Sequence, residues 1–301
     1  MTTQDGKKID EAFEYCANIT NQHYENFPVA SLFLPKEKRP YIQSIYAFAR
    51  IADDIADDEK VDSQTRLQKL EEWERMLKEC YEGEPNHPVF VALKETVTRL
   101  SIPIEPLANL LKAFKMDIEK NHFINFDEVL QYCEFSANPV GRLILMIFGY
   151  KNEEYFKHSD SICTALQLTN FYQDVAIDLE KNRIYIPEDE IVSTNYSEDK
   201  LYKKQYDKEF VNLMKIQVDR ARELFYAGSG LPSLVDRDLQ LELKLIWFGG
   251  MQVLKKIERK KFEVFSKRIK LHLLDKVLIF LRGLFYNDLT KYRRRSIWDL
   301  T

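Results

Sequence analysis

The sequence contains few residues that interrupt helices. Of its 301 residues, only 9 are glycine and 10 are proline. The prolines gather at the edges of periodic segments, as Pro35, Pro88, Pro103 and Pro187 do, where they mark helix ends and turns. This scarcity argues against a loop-rich chain and favours one large helical domain over residues 1–301.

Cysteine and excess positive charge are also lacking. The four cysteines, Cys16, Cys80, Cys133 and Cys163, are widely separated and form no spacing typical of a zinc site. We therefore expect a reduced, cytoplasmic protein. The formal net charge of −4 gives no indication of the basic surface that a nucleic-acid partner requires, so no nucleic acid is expected.

Long apolar runs are absent as well. The longest, Leu143 to Phe148, is too short to span a bilayer, and the N-terminus lacks the plan of a signal peptide. The segment from Lys255 to Arg295 is nevertheless basic. It fits either a solvated helix face or peripheral contact with the anionic inner face of a membrane.

Apolar residues make up 45% of the chain and aromatic residues 13%, enough for a core and for the lining of a deep pocket. They recur at helical spacing nearly everywhere, and alternating strand patterns are absent. We predict helices near residues 9–23, 36–58, 63–82, 87–100, 104–120, 126–134, 138–149, 153–180, 199–228, 233–258, 261–267 and 272–287.

Two of these helices carry rows of acidic residues. Asp53 and Asp57 continue the apolar stripe of the first and lie one turn apart, and Asp54 and Asp58 form a second such pair. Like charges at this spacing destabilise a helix by about 0.2–0.5 kcal/mol per pair. The row fits either a solubilising helix end or a site where a cation compensates the charge.

The second row favours the cation site. Asn170, Asp174 and Asp178 are spaced by four and stack three oxygen-bearing side chains on one face of an otherwise apolar helix. Two such rows are hard to explain as solvation alone. Carboxylates without His or Cys partners suit Mg²⁺, which commonly shares its coordination shell with substrate phosphates. A diphosphate is therefore the expected third component.

These residues resemble two signatures of the squalene/phytoene synthase family. Tyr46 to Asp57 reads Tyr-Ala-Phe-Ala-Arg-Ile-Ala-Asp-Asp-Ile-Ala-Asp, and Gln167 to Asp178 reads Gln-Leu-Thr-Asn-Phe-Tyr-Gln-Asp-Val-Ala-Ile-Asp. A third family stretch, Tyr132 to Gly141, is present, and the match continues through Asn182–Pro187 to Arg268. The resemblance covers almost the whole chain.

The resemblance implies an all-α isoprenoid-synthase bundle around a central apolar cavity, in which prenyl diphosphates are processed. More than one Mg²⁺ ion would be held by Asp53, Asp57, Asn170, Asp174 and Asp178. Arg50 would bind diphosphate oxygens, with Lys267 and Arg268 as further candidates. Tyr46 and Tyr132 would stand nearest the carbocation. Pocket residues would be Phe27, Phe48, Phe171 and Gln173, although the three phenylalanines fit the core equally well.

Two departures from the family pattern indicate which branch of the family the chain resembles. Many members carry Ser-x-Ser-Phe near the N-terminus and an arginine before the second aspartate signature, whereas this chain has Tyr24–Phe27 and Gln173 there. The chain looks most like hydroxysqualene synthases of bacterial hopanoid pathways, which act on presqualene diphosphate with its single diphosphate. No dinucleotide fingerprint appears, so water is favoured over NADPH hydride as the terminating nucleophile.

Three alternatives remain open. A squalene or dehydrosqualene/phytoene synthase condensing two prenyl diphosphates, such as farnesyl diphosphate, would use the same metal ligands. A terpene cyclase or chain-elongating prenyltransferase does not predict the Tyr132–Gly141 stretch. A non-catalytic assembly factor of the same fold should have lost signature carboxylates, and all are present. Partner enzymes of the same pathway are a further hypothesis.

Overall fold

The computed structural model describes residues 3–22, 35–286 and 288–292. The helices are α1 (Thr3–Gln22), α2 (Arg39–Ala56), α3 (Ser63–Glu82), α4 (Pro88–Leu100), α5 (Glu105–Glu119), α6 (Phe126–Ser136), α7 (Asn138–Ile147), α8 (Glu153–Glu180), α9 (Glu188–Ser193), α10 (Glu198–Tyr202), α11 (Lys208–Gly228), α12 (Leu231–Leu234), α13 (Arg237–Arg259) and α14 (Leu273–Phe285). A 3₁₀ turn, Leu289–Lys291, follows. No strand forms among the described residues, which confirms the all-α prediction.

Local capping explains where several helices begin. The side chains of Asp62, Asn125 and Asn152 accept hydrogen bonds from backbone N–H groups in the first turns of α3, α6 and α8. Such caps satisfy donors that have no partner inside the helix. Pro88 is the first residue of α4 and Pro106 the second residue of α5, positions at which proline loses no helical hydrogen bond.

Two helix predictions were wrong. The segment predicted at 199–228 is broken between α10 and α11, because Lys204 has a left-handed backbone (φ 51°) and Asp207 caps a new helix by accepting from the Phe210 N–H. The segment predicted at 261–267 is not helical. Lys261 and Phe262 both have positive φ, so they end α13 and turn the chain away.

The central helix is α8, whose apolar residues point in all directions. It packs against α6, α7, α11 and α13, and residues as far apart as Phe156, Ala165 and Leu179 are buried. A helix that is apolar on all sides must be enclosed by others. The middle of α8 therefore lies inside the helical array, whereas Glu180 at its end is exposed.

A continuous cluster of buried apolar residues runs from α1 to α14. It supports the assignment of one domain to residues 1–301, which stays a prediction. Among the described residues, none of the helices is long and apolar enough to cross a membrane.

Candidate active site

Three helices end in aspartates at one place in the fold. Asp53 lies in the last turn of α2 and Asp57 caps its C-terminus, Asp117 lies in the last turn of α5, and Asp174 and Asp178 lie in the last two turns of α8. The C-terminus of a helix carries partial negative charge and disfavours a carboxylate by about 0.3–1 kcal/mol. The local sequence thus concentrates negative charge where the backbone already opposes it.

The two predicted acidic rows meet through cations that follow α8. The Arg183 guanidinium donates to Asp57 Oδ1 at 3.1 Å, and Lys181 Nζ lies 3.5 Å from Asp57 Oδ2. The same two cations act electrostatically on Asp178. Residues of both rows therefore surround one pair of cations, and the rows converge on a common site.

The carboxylates at this site retain excess negative charge. Burial, followed by repulsion from Asp174, raises the pKa of Asp178 to about 7. Burial and then repulsion from Asp57 raise the pKa of Asp53. Both causes disfavour the charged form, so the nearby arginines and lysine only partly neutralise the site. An added cation would relieve the repulsion.

The donor atoms suit a hard divalent cation. Asp53, Asp57, Asp174, Asp178 and the exposed Asn170 offer only oxygen ligands from side chains that Mg²⁺ favours. In the part of the chain that the structure describes, no three His, Cys, Asp or Glu residues form a ready-made metal cage. Mg²⁺ commonly takes one or two protein carboxylates and completes its shell with water and phosphate oxygens, so two separate acidic rows fit it.

Two side chains of α8 hold a strap formed by residues 266–270. The Arg268 guanidinium donates to both oxygens of Asp174, with an Nη2–Oδ2 distance of 2.7 Å. The Gln173 amide, predicted to line the pocket, donates to the carbonyl of Ile269. Lys267 is exposed on the same strap. The strap is thereby fixed beside the second acidic row.

Arg50, the predicted diphosphate ligand, contacts aspartates of its own helix. Its guanidinium lies 3.2 Å from Asp53 Oδ2 and also donates to Asp54. Tyr46 stands one turn earlier on α2 and adds to the electrostatic effects that, with the Asp54 hydrogen bond, raise the pKa of Arg50. Arg50 therefore already lies within the charge network of the first row.

An aromatic cluster adjoins the acidic site. The rings of Phe171 and Tyr185 stack with centroids 3.7 Å apart, and Tyr132 lies within 6.0 Å of both. Phe171 and Tyr185 border a narrow recess that also contains Asp178. Aromatic faces are electron-rich and attract cations, so this arrangement can stabilise positive charge close to the carboxylates.

Tyr132 is buried and its hydroxyl donates to Asp117 Oδ2 at 3.1 Å. Burial raises the pKa of Asp117 to about 6, although the Tyr132 hydrogen bond and Arg183 oppose the rise. Asp117 can therefore exchange a proton near neutral pH. The pair links the aromatic cluster to the acidic rows.

Sequence reasoning missed Asp117, Lys181 and the roles of Arg183 and Tyr185. The only sequence signal for the last two was the stretch Asn182–Pro187, recognised as part of the family match. Asp117 is one of three acidic residues on α5 and belongs to no acidic row, so it gave no signal. The predicted pocket residue Phe48 is fully buried in the core against Trp73 and Phe90, and Phe27 lies outside the described residues.

The chain is similar to known proteins over most of its length. The family model described as squalene/phytoene synthase matches residues 20–275. The phytoene synthase of Arthrospira platensis is 30% identical over 272 residues, covering 86% of this chain and 87% of its own. The 15-cis-phytoene synthase of Synechococcus elongatus is 30% identical over 276 residues, covering 86% and 88%.

Two solved structures are similar. The crystal structure of a squalene synthase from Alicyclobacillus acidocaldarius has 37% sequence identity and a TM-score of 0.81, covering 84% of this chain and 95% of that one. A dehydrosqualene synthase in complex with a ligand has 24% identity and a TM-score of 0.83, covering 94% and 98%. The second likeness concerns the fold alone.

Proposed function

Because this chain belongs to the squalene/phytoene synthase family, whose members process prenyl diphosphates, we propose that it converts presqualene diphosphate into hydroxysqualene. The reaction breaks the C–O bond to diphosphate, rearranges the resulting cyclopropyl cation, and adds water with loss of a proton. The observation that carries the proposal is the convergence of both acidic rows beside the aromatic cluster.

Magnesium would be held by Asp53, Asp57, Asn170, Asp174 and Asp178. When bound, it supplies charge that stabilises the departing diphosphate. Arg50, Arg183, Lys181 and Arg268 already lie among these carboxylates. With magnesium on the carboxylates, these side chains can turn to diphosphate oxygens, since guanidinium and ammonium groups bind both partners.

The aromatic cluster would hold the carbocation. Phe171 and Tyr185 present a stacked pair beside Asp178, and Tyr132 extends this wall into the core. Their rings attract positive charge and exclude bulk water, so the cation has time to rearrange before it is captured.

The proton released on water capture has a suitable acceptor. Tyr132 donates its hydroxyl hydrogen to Asp117, whose pKa is about 6. At neutral pH the Asp117 carboxylate is available, so Tyr132 can orient a water while Asp117 receives the proton through it. These roles make no use of NADPH, and we expect product formation to be independent of it.

Gln173 supports a substrate with one diphosphate. Many family members carry an arginine at this position, but here a neutral amide binds the Ile269 carbonyl. The site therefore has one positive charge fewer for phosphate groups. The identity of 37% to the squalene synthase of Alicyclobacillus acidocaldarius supports a squalene-type product over a phytoene-type one, and does not bear on the number of diphosphates.

A second candidate is the condensation of two prenyl diphosphates to a phytoene-type product. It is favoured by the 30% identity to two cyanobacterial phytoene synthases over most of the chain. It would use the same acidic rows, so product analysis must distinguish the two.

The decisive experiment incubates the purified protein and Mg²⁺ separately with presqualene, farnesyl and geranylgeranyl diphosphates, each with and without NADPH. We expect hydroxysqualene to form from presqualene diphosphate and from neither of the other two substrates, with or without NADPH. Mass spectrometry identifies the product. Equal or faster consumption of farnesyl diphosphate, or formation of phytoene from geranylgeranyl diphosphate, would refute the single-diphosphate reaction.

Gln173→Arg tests the basis of that preference. The added cation should raise the rate with farnesyl diphosphate relative to presqualene diphosphate. Gln64→Arg adds the same charge at an exposed position of α3 and should leave the ratio unchanged. An equal change in both variants would show that the effect comes from net charge.

A further inference from the structure

Helix α14 has two apolar faces, of which only one is covered. Ile279 and Gly283 are buried against α13, and a Cβ added at Gly283 would lie 2.8 Å from Leu245 Cδ2. The helices therefore pack closely along this side. Large apolar residues exposed elsewhere on the helix are Leu273, Leu274, Val277, Leu278, Leu281, Leu284 and Phe285.

These seven side chains form one uninterrupted surface, which we call the exposed arc. At about 100° per residue, they occupy roughly 140° of the helix circumference, and within the fully described α14 no polar residue falls between them. Leu273, Leu274 and Phe285 are each 76–78% exposed. Soluble proteins rarely leave so continuous an apolar surface uncovered unless it binds something.

Basic residues border the exposed arc. Arg282 flanks it on α14. Burial, followed by repulsion from Arg259 and Arg282, lowers the pKa of Lys255 on the neighbouring α13. These three residues, the basic border, therefore lie close together. Lys276 is exposed beyond the other edge of the arc.

The charge of the surrounding segment contrasts with that of the whole chain. Residues 255–286 contain ten Lys and Arg against three Asp and Glu, a net charge of +7, whereas the whole chain carries −4. An apolar helix face flanked by cations complements a surface of acyl chains beneath anionic headgroups.

We propose that the exposed arc of α14 inserts at the surface of an anionic lipid bilayer, with the basic border against lipid phosphates. A second copy of this chain is a poorer occupant, because a symmetric contact would bring two basic borders together. The inference is independent of the proposed reaction. It gives a location to the membrane contact considered for residues 255–295, of which 287 and 293–295 lie outside the described residues.

The test measures binding of the full-length protein to lipid vesicles by flotation. Vesicles of phosphatidylcholine are compared with vesicles that contain about one-third phosphatidylglycerol, an anionic lipid. We expect at least tenfold tighter binding to the anionic vesicles. Raising the salt from about 0.05 M to about 0.5 M should weaken it, because salt screens the basic border.

The triple variant Leu273→Ser/Leu274→Ser/Phe285→Ser removes the most exposed side chains and should lower binding at least tenfold. Its circular dichroism and melting temperature should match those of the wild type, because these exposed side chains contribute little to the packing of the core. The control Ile124→Ser/Val192→Ser changes two exposed apolar residues, Ile124 in the loop before α6 (60% exposed) and Val192 on α9 (72% exposed). Its vesicle binding should be unchanged.

Other outcomes overturn the proposal. They are absence of binding to anionic vesicles, equal binding to neutral and anionic vesicles, and wild-type binding by the triple variant. A dimer in solution that the triple variant dissociates, without vesicle binding by the wild type, would instead assign the exposed arc to a second copy.

Discussion

The most quantitative prediction concerns Glu242, a buried carboxyl group in α13. Its side chain belongs to a residue only 3% exposed, and neither carboxylate oxygen has a hydrogen-bond partner among the described residues. Burial alone raises its pKa from about 4.5 to about 7. The folded protein therefore favours the neutral acid, and ionisation opposes folding.

The size of the effect follows from linkage. The unfolded chain loses this proton near pH 4.5 and the folded chain near pH 7, so the folded state binds more protons between these values. The free energy of unfolding should fall as pH rises through this window. A difference of about 2.5 in pKa corresponds to about 3 kcal/mol, fully expressed above pH 7.

Glu242→Gln removes the ionisation and keeps the shape. Urea unfolding followed by circular dichroism, from about pH 5 to about pH 8.5, should show the variant gaining about 3 kcal/mol relative to the wild type. Glu71→Gln, at an exposed position of α3, controls for loss of a charge. A stability difference between Glu242→Gln and the wild type that stays constant with pH would refute this reasoning.

The remaining predictions concern packing and the acidic site. Gly250→Ala should cost about 1–3 kcal/mol in urea unfolding, because its Cβ would lie 2.1 Å from the Phe225 ring; Gly249→Ala, which meets open space, should be neutral or stabilising. Asp178→Asn should raise the melting temperature without Mg²⁺, most clearly above pH 7 where the buried carboxylate is charged, and should abolish Mg²⁺-dependent turnover. Tyr132→Phe should leave the fold intact and shift the acid limb of the pH–rate profile to higher pH, because Asp117 loses a hydrogen bond that lowers its pKa.

Each of these predictions has a result that contradicts it. Equal stability of the two glycine variants would mean that α11 yields at the contact. A lower melting temperature for Asp178→Asn would mean that the carboxylate is stabilised as a charge. An unchanged pH–rate profile for Tyr132→Phe would separate that hydroxyl from proton transfer.

The helical class and the positions of both acidic rows could be predicted from the amino-acid sequence. These features depend on spacings of three and four residues, which the geometry of a helix turns into a common face. Asp53 with Asp57, and Asp174 with Asp178, could therefore be placed without any knowledge of the fold. The break at Lys204 and the turn at Lys261 that follows α13 could not be predicted, because residues other than glycine adopt positive φ there.

The tertiary structure alone decided which charges meet. Arg183 reaches Asp57 across 126 residues of chain, and Arg268 reaches Asp174 across 94. No local pattern encodes such pairs, because they depend on how whole helices pack. The same holds for Glu242, whose burial is decided by the surrounding helices, and for the exposed arc of α14, whose apolar residues read in sequence as one more core-facing helix.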